Sequence, residues 1–181
     1  MRSDLPDNVH ISFDEWNYWY AWFRPSCTAE GLFAAGMIHM MLTESNPCDA
    51  PVCCYFQPVG EGAIHVGKLD SSLTAIGQVM SLMKAHKGGS FCPVDNVINL
   101  EAVATKKDQV LTLTLINKDV ENEKAFSANL CGEILSAKVL TAADLLPHST
   151  FAEESLAVSV ENEMMHVTLP KHSVALIQIK C

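Results

Sequence analysis

The chain has 181 residues, of which 49% are hydrophobic and 18% are charged, and its formal net charge at pH 7 is −9. This composition excludes an intrinsically disordered chain, because such chains have too few apolar residues to bury a core. The acidic balance argues against nucleic acid or an anionic membrane surface as a partner, since both repel negative charge. We therefore expect a globular chain of one domain, or of one domain and part of another.

Seven cysteines occur, two of them adjacent and none in a Cys-x-x-Cys pair. Their odd count favours reduced, partly buried thiols over a secreted disulfide framework. Residues 1–10 are polar and lack the apolar stretch of a secretory signal, and no apolar run is long enough to span a bilayer. These features predict a cytoplasmic protein. No metal site is predicted, because the cysteines and histidines lack the spacing of zinc ligands.

The first half of the chain alternates strand patterns with helix patterns. A β-prone run at 9–13 precedes a mostly apolar helix over about 28–46, which we expect to be packed on two faces. The continuous apolar run at 52–56 is typical of a strand covered on both faces. A second helix is predicted over 72–86, followed by Gly88 as a left-handed cap. This order indicates β/α architecture, and two such units neither close a barrel nor make a stable sheet alone.

The second half changes to a period of two, in which apolar and polar residues alternate from Leu100 onward. Further short strands are predicted near 126–130, 156–160, 166–169 and 174–179, with turn residues between them. Several half-buried antiparallel strands of this kind predict a β-sandwich. Because the pattern switches close to residue 90, we expect one domain over residues 1–90 and a second over residues 91–181.

The densest group of chemically functional side chains directly follows the first predicted strand. It consists of the motif Phe13-Asp14-Glu15-Trp16-Asn17 and of the aromatic residues Tyr18, Trp19, Tyr20 and Trp22. Sugar rings pack on aromatic faces, and their hydroxyls bond to carboxylates and amides. The end of a barrel strand is also where catalytic groups project. The residues alone leave two interpretations open: a carbohydrate site, or an aromatic cluster of the core in which Asp14 caps a turn.

Residues 11–20 closely resemble the strand-seven signature of the family 51 glycoside hydrolases, the α-L-arabinofuranosidases, which reads Phe-Asp-Glu-Trp-Asn, an aliphatic or aromatic residue, Trp and Tyr. The resemblance implies hydrolysis of terminal α-L-arabinofuranosyl residues from arabinose-containing saccharides, with retention of configuration and without a cofactor. Glu15 would be the nucleophile. Trp19 would line the arabinose subsite.

The resemblance continues into the run from Cys53 to Pro58, which is similar to strand eight of these enzymes. It implies that Gln57 reaches the sugar and that Asp14 and Asn17 contribute to substrate binding. The segment 59–64 departs from the commonest family pattern, and the resemblance therefore leaves the preferred arabinoside open.

The resemblance covers nearly the whole chain and implies its architecture. The fold class is α/β plus all-β: the last two β/α units of a (β/α)8 barrel over residues 1–90, then an antiparallel β-sandwich over residues 91–181. The general acid/base of the family lies in an Asn-Glu pair after strand four, whereas the pairs Asn122-Glu123 and Asn162-Glu163 fall in predicted turns. We therefore expect no activity from the isolated chain. It would associate with itself or with a separate polypeptide that supplies the rest of the barrel. The alternative is a non-catalytic relic that binds carbohydrate or has a structural role.

Overall fold

The structure, a computed structural model, describes residues 4–18, 25–48, 50–60, 62–94, 100–129 and 132–181. Within these ranges, β-strands dominate and there are two α-helices. The helices are α1 (Thr28–Cys48) and α2 (Ala75–Met83), and a short 3-10 helix over Lys84–His86 continues α2. The strands are β1 (Ser12–Trp16), β2 (Val52–Tyr55), β3 (Ile64–Val66), β4 (Ser71–Leu73), β5 (Ser90–Cys92), β6 (Glu101–Lys107), β7 (Val110–Asn117), β8 (Lys124–Asn129), β9 (Glu133–Thr141), β10 (Ala152–Ser155), β11 (Val158–Glu161), β12 (Met164–Leu169) and β13 (Ser173–Lys180).

β1 and β2 form a parallel pair joined by α1, in agreement with the predicted strand–helix–strand order. Ser12 lies opposite Val52 and Trp16 lies opposite Tyr55, with a register shift between Phe13 and Trp16. The strand begins later than the predicted 9–13, after a backbone hydrogen bond from Val9 to Pro6. A shift of this kind accommodates an extra residue and re-aims the side chains beside it.

The prediction that β2 is covered on both faces is wrong for the described residues. Val52 is 44% exposed, and the exposed and half-buried residues of the strand alternate. The physical reason is the size of the sheet: the described part of it has only two strands, and the helices pack on it through Trp16, Ala34 and Ile76. No other described element covers Val52 in the way that a parallel sheet normally covers its strands.

The predicted helix over 72–86 is correct in its second part only. Its first residues belong to β4, which pairs with β3 in a short antiparallel hairpin that the sequence did not predict. The helix begins after Thr74, whose hydroxyl accepts a hydrogen bond from the Gly77 N–H at 3.3 Å and caps the first turn. Gly88 has a φ of +76°, the left-handed conformation predicted for the end of this segment.

The second half of the chain forms two antiparallel sheets, as the alternating pattern predicts. The larger sheet has the order β10-β9-β13-β7-β6-β5, and the smaller has the order β11-β12-β8. Both contribute to one apolar core, in which Leu115 and Ile177 of the larger sheet accompany Met165 and Leu169 of the smaller. Asp108 and Asn162 adopt positive φ values in the tight turns that join consecutive strands.

The helices pack against the larger sheet and form a second core with it. Leu32 and Ala35 of α1 and Val79 of α2 meet Ile116, Val174 and their neighbours from the sheet. Other α1 residues, such as Ala34, pack with Trp16 of β1. α1 is therefore buried on two faces, which explains why its apolar residues are not confined to one stripe.

Neither helix is long and apolar enough to cross a membrane within the part of the chain that the structure describes. Cys27, Cys53, Cys54, Cys92 and Cys181 are free thiols, and no group of three or more potential metal ligands occurs among the described residues.

Candidate active site

Glu15 lies near the C-terminal end of β1, inside the segment where the register with β2 shifts. Its side chain is exposed, so the alternative in which this part of the motif is buried in a core does not apply to it. Gln57 follows the end of β2 and is exposed as well. Because parallel strands end at the same edge of a sheet, Glu15 and Gln57 lie at one edge of the pair.

A backbone and a side-chain hydrogen bond join the two strands at this edge. The Phe56 N–H donates to the Trp16 carbonyl at 3.0 Å. The Tyr55 hydroxyl donates to Oδ1 of Asn17 at 2.9 Å. The indole of Trp16 is buried and meets the Tyr55 ring edge-on, with ring centroids 4.9 Å apart. The edge that carries Glu15 is thus built on an ordered aromatic support.

The remaining predicted site residues have different environments. Asp14 is exposed and its carboxylate accepts a hydrogen bond from the Ser12 hydroxyl. Asn17 is half-buried and bonded to Tyr55, as described above. Trp19 lies outside the described residues. The structure therefore brings Asp14, Glu15, Asn17 and Gln57 to one edge.

Tyr55 and Gly62 belong to this arrangement, although no sequence motif predicts a role for either residue. A Cβ atom at Gly62 would lie 2.2 Å from the Tyr55 hydroxyl oxygen, so only glycine leaves room for the phenol ring. The signal available in the sequence is weak: an aromatic residue two positions before Gln57, and a glycine shortly after it. Tyr55 and Asn17 are 38 residues apart, and the register of two parallel strands brings them together.

The thiol of Cys53 on β2 has a raised pKa, which makes it unsuitable as a nucleophile. Burial, and secondarily the adjacent Cys54, raises the pKa of Cys53 above its usual range. A raised pKa keeps the sulfur protonated at neutral pH, and the thiol form is a poor nucleophile. A carboxylate is the better candidate for covalent chemistry at this edge.

The two Asn-Glu pairs of the chain lie far along the sequence, in the antiparallel part. Asn122 and Glu123 precede β8, and Asn162 and Glu163 form the turn between β11 and β12. Asn162 and Glu163 have positive φ values, which suit the tight turn between the two strands. Asn162-Glu163 thus occupies a turn, as predicted, and Asn122-Glu123 lies in the loop before β8.

The chain resembles the GH51 arabinofuranosidase from Xanthomonas axonopodis pv. citri, with 19% identity and a TM-score of 0.81 over 95% of this chain and 41% of that one. It also resembles the α-L-arabinofuranosidase from Thermotoga maritima, with 20% identity and a TM-score of 0.79 over 96% of this chain and 43% of that one. The GH30 subfamily 8 xylanase Xyn30A from Clostridium acetobutylicum is less similar, with 15% identity and a TM-score of 0.65 over 95% and 43% of the two chains. No protein-family model and no curated protein matches the sequence.

These likenesses establish the fold. The described chain has the fold of part of a glycoside hydrolase, and both arabinofuranosidases superimpose better than the xylanase does. More particularly, it corresponds to a C-terminal portion of the family 51 arabinofuranosidase fold. The chain spans about two-fifths of the length of the solved structures that it matches.

Proposed function

We propose that the chain is the C-terminal part of a retaining α-L-arabinofuranosidase and carries the nucleophile of that enzyme. The observation that carries the proposal is the exposed carboxylate of Glu15, at the C-terminal end of a parallel strand, in a fold shared with arabinofuranosidases. In this proposal residues 1–90 are the last two β/α units of a (β/α)8 barrel, and residues 91–181 are a β-sandwich. The parallel pair and the two antiparallel sheets support that division.

In the proposed reaction, Glu15 attacks the anomeric carbon of a terminal α-L-arabinofuranosyl residue and forms a glycosyl-enzyme ester, which water then hydrolyses. Gln57 and Trp19 line the sugar subsite, and Asp14 and Asn17 orient the nucleophile or bind hydroxyl groups. The reaction needs no metal or organic cofactor, because the carboxylate forms the covalent bond itself.

A retaining mechanism also needs a second carboxyl group about 5 Å from the first, to protonate the leaving group and later activate water. The described residues 50–60, which include β2 and the segment after it, contain no acidic residue. The Asn-Glu pairs lie in a loop and a turn of the antiparallel part. We propose that the acid/base comes from strands of the barrel that these residues do not include.

The position of the Asn-Glu pairs in the antiparallel part, away from Glu15, also favours a second candidate function. In that candidate the chain has no catalytic role and persists as a carbohydrate-binding or structural module. Neighbouring DNA distinguishes the two. An open reading frame that encodes strands one to six with an Asn-Glu motif favours the enzyme, and its absence favours the module.

The biochemical test uses a chromogenic α-L-arabinofuranoside. The isolated chain is expected to show no turnover, and strands one to six supplied in trans or by fusion are expected to restore it. Glu15→Gln should then abolish activity, because an amide does not form the glycosyl ester. Glu161→Gln, at an exposed position on β11, serves as the matched control and should leave activity unchanged. A restored enzyme that tolerates Glu15→Gln contradicts the assignment.

A further inference from the structure

Two buried histidines meet on one threonine where the helices pack against the larger sheet. His39 of α1 places Nε2 2.6 Å from the Thr114 hydroxyl oxygen on β7. His86 of the 3-10 helix places Nε2 3.1 Å from the same oxygen, and its Nδ1 lies 2.8 Å from the Thr105 hydroxyl on β6. All four residues are buried, with exposures of 4% or less. This chain of hydrogen bonds links both helical segments to two neighbouring strands.

Counting protons fixes the direction of the chain. The Thr114 hydroxyl has a single hydrogen, so it donates to one imidazole and accepts from the other. If His86 were the donor, His39 would accept at Nε2 and carry its proton on Nδ1. That Nδ1 is buried and has no hydrogen-bond partner. A buried N–H without an acceptor is costly, so this arrangement is disfavoured.

The opposite direction gives the Thr114 O–H and every N–H of the two imidazoles an acceptor, and it leaves outside the chain only the Thr105 O–H, which can rotate. Nε2–H of His39 donates to Thr114, the Thr114 hydroxyl donates to Nε2 of His86, and Nδ1–H of His86 donates to Thr105. Nδ1 of His39 is then an acceptor without a donor, and burying it costs less free energy than burying an N–H without an acceptor. This solution requires both imidazoles to be neutral and assigns a different tautomer to each.

The surroundings oppose a positive charge on either ring. Burial, then the nearby His86 and Lys118, lowers the pKa of His39 to about 3. Burial lowers the pKa of His86 to about 4. The described charged groups on the elements packed around the two rings lie on five segments, and α2 has none. They are Glu30 of α1, Lys84 of the 3-10 helix, Glu101, Lys106 and Lys107 of β6, Lys118 after β7, and Lys180 at the end of β13. The Glu101 carboxylate is already paired with Lys118.

We propose that the His39–Thr114–His86–Thr105 chain is an acid-sensitive latch that holds α1 and the 3-10 helix on the larger sheet while both imidazoles are neutral. A proton added to His86 makes its Nε2 a donor and reverses the Thr114 hydroxyl. Either His39 then accepts at Nε2 and moves its own proton to the unpartnered Nδ1, or Thr114 accepts from both rings and its own O–H loses its acceptor. In both cases the first protonation leaves a buried donor without an acceptor, and the helices separate from the sheet.

The sign of the pH dependence follows from the lowered pKa values. An imidazole whose folded pKa lies below the free value of about 6.5 binds its proton more readily in the opened state. The latch is therefore fully stabilising above about pH 6.5 and weakens as the pH falls toward the folded values. At pH 5, the opening equilibrium rises about 30-fold for one imidazole and about 10³-fold for two.

Hydrogen exchange of the whole chain at pH 7.5 and pH 5.0, corrected for the intrinsic pH dependence of exchange, tests the latch. Amides of α1 and of Lys84–His86 should lose between ten- and a thousandfold more protection at pH 5.0 than amides of β12. His166→Gln is the control, because that ring lies on the exposed face of β12 with Ser127, and it should leave the difference unchanged. An equal change in the helices and β12 would overturn the proposal.

A second measurement on the unmodified chain is independent of any variant's ability to fold. Nitrogen NMR of labelled histidines at pH 7.5 should show the Nε2–H tautomer for His39 and the Nδ1–H tautomer for His86. The opposite tautomers, or a positive charge on either ring at pH 6, contradict the latch.

The same spectra of two variants test the shared hydroxyl. Thr114→Val removes that hydroxyl and should abolish the fixed tautomers, whereas Thr112→Val, at a buried position on the same strand, should retain them.

Discussion

The hydroxyl of Tyr55 donates to Oδ1 of Asn17 across 2.9 Å, and this bond joins the two parallel strands at the edge that carries Glu15. With its oxygen engaged, the Asn17 amide is fixed in one orientation, in which its N–H groups point away from Tyr55. In the proposed enzyme those N–H groups are donors for a sugar hydroxyl or for the nucleophile. Tyr55 would thus position a substrate-binding residue.

Tyr55→Phe should remove the hydroxyl and preserve the packing of the ring against Trp16. We expect a loss of about 1 kcal/mol in the free energy of unfolding, the usual contribution of one hydrogen bond. Gly62→Ala should cost more, because its Cβ would lie 2.2 Å from the Tyr55 hydroxyl oxygen and displace the whole ring. Denaturant titration measures the free energy of unfolding of both variants. If Gly62→Ala were as stable as Tyr55→Phe, the close contact between Gly62 and Tyr55 would be contradicted.

Glycine-to-alanine substitutions in the two helices should have opposite signs. At Gly36 in α1, the new methyl meets Lys118 Nζ at 2.7 Å, the mobile end of a long exposed side chain that can move aside. Helix propensity gains up to about 1 kcal/mol from alanine, whereas an exposed ion pair contributes less than that. At Gly77 in α2, the methyl would lie 2.1 Å from the fixed Ala63 carbonyl oxygen. We expect Gly36→Ala to raise the melting temperature and Gly77→Ala to lower it. The same sign for both would refute this comparison.

The sequence predicted those elements whose periodicity is set locally, and it missed contacts that depend on long-range register. The β1–α1–β2 order and the antiparallel strands after residue 100 follow from hydrophobic spacing alone. The predicted helix over 72–86 included most of β4. Three residues that directly precede a strong helix pattern are too few to show the alternation of a strand. Tyr55 and Asn17 meet through strand pairing, and their contact has no signature in the sequence.

The buried histidines illustrate the same limit. His39 and Thr114 are 75 residues apart, and His86 and Thr114 are 28 apart. No spacing rule connects them, because they meet only when both helical segments lie on the sheet. Conversely, the motif around Glu15 is contiguous, so the sequence alone is enough to predict a site there.

Asn117 should be among the most sensitive polar positions of the chain. Its side chain is fully buried; its Nδ2 donates to the carbonyls of Asn122, Leu169 and Pro170, and its Oδ1 accepts from the Asp119 N–H. Asn117→Ala leaves these groups without their partner and should cost about 2–4 kcal/mol in unfolding free energy. The exposed Asn129 on β8 is the control, and Asn129→Ala should change stability by less than about 0.5 kcal/mol. Equal effects would show that the buried network contributes nothing.

The free energy of unfolding at acid pH should also depend on Asp119. Its carboxylate accepts from the N–H groups of Glu121 and Asn122, and Lys124 lies 2.8 Å from it. The hydrogen bond from Lys124, and then those from the two backbone groups, lowers the pKa of Asp119. A lowered carboxyl pKa stabilises the fold above the unfolded value of about 3.9 and loses that contribution as the pH falls further. Asp119→Asn should therefore flatten the stability profile below about pH 4 and lower it by a constant amount between pH 5 and 7, where its slope stays unchanged. A changed slope above pH 5 would contradict this assignment.

The parallel pair should cause the isolated chain to self-associate. Phe13 is 37% exposed on β1 and Val52 is 44% exposed on β2, within a two-stranded sheet of the described residues. Exposed apolar side chains beside short strands promote strand addition by a second molecule, and two strands alone are marginally stable in water. Phe13→Ser combined with Val52→Thr should reduce the average mass measured by light scattering. Val120→Ser changes a residue that is 57% exposed in the turn after β7, and it should leave that mass unchanged.

The surface that contains Phe13 and Val52 is alternatively the docking site for strands one to six. In that case, adding a polypeptide with those strands should also suppress self-association, and the double variant should bind it more weakly. A monodisperse monomer with a cooperative thermal transition would contradict both outcomes, because it would show that the pair is stable without a partner.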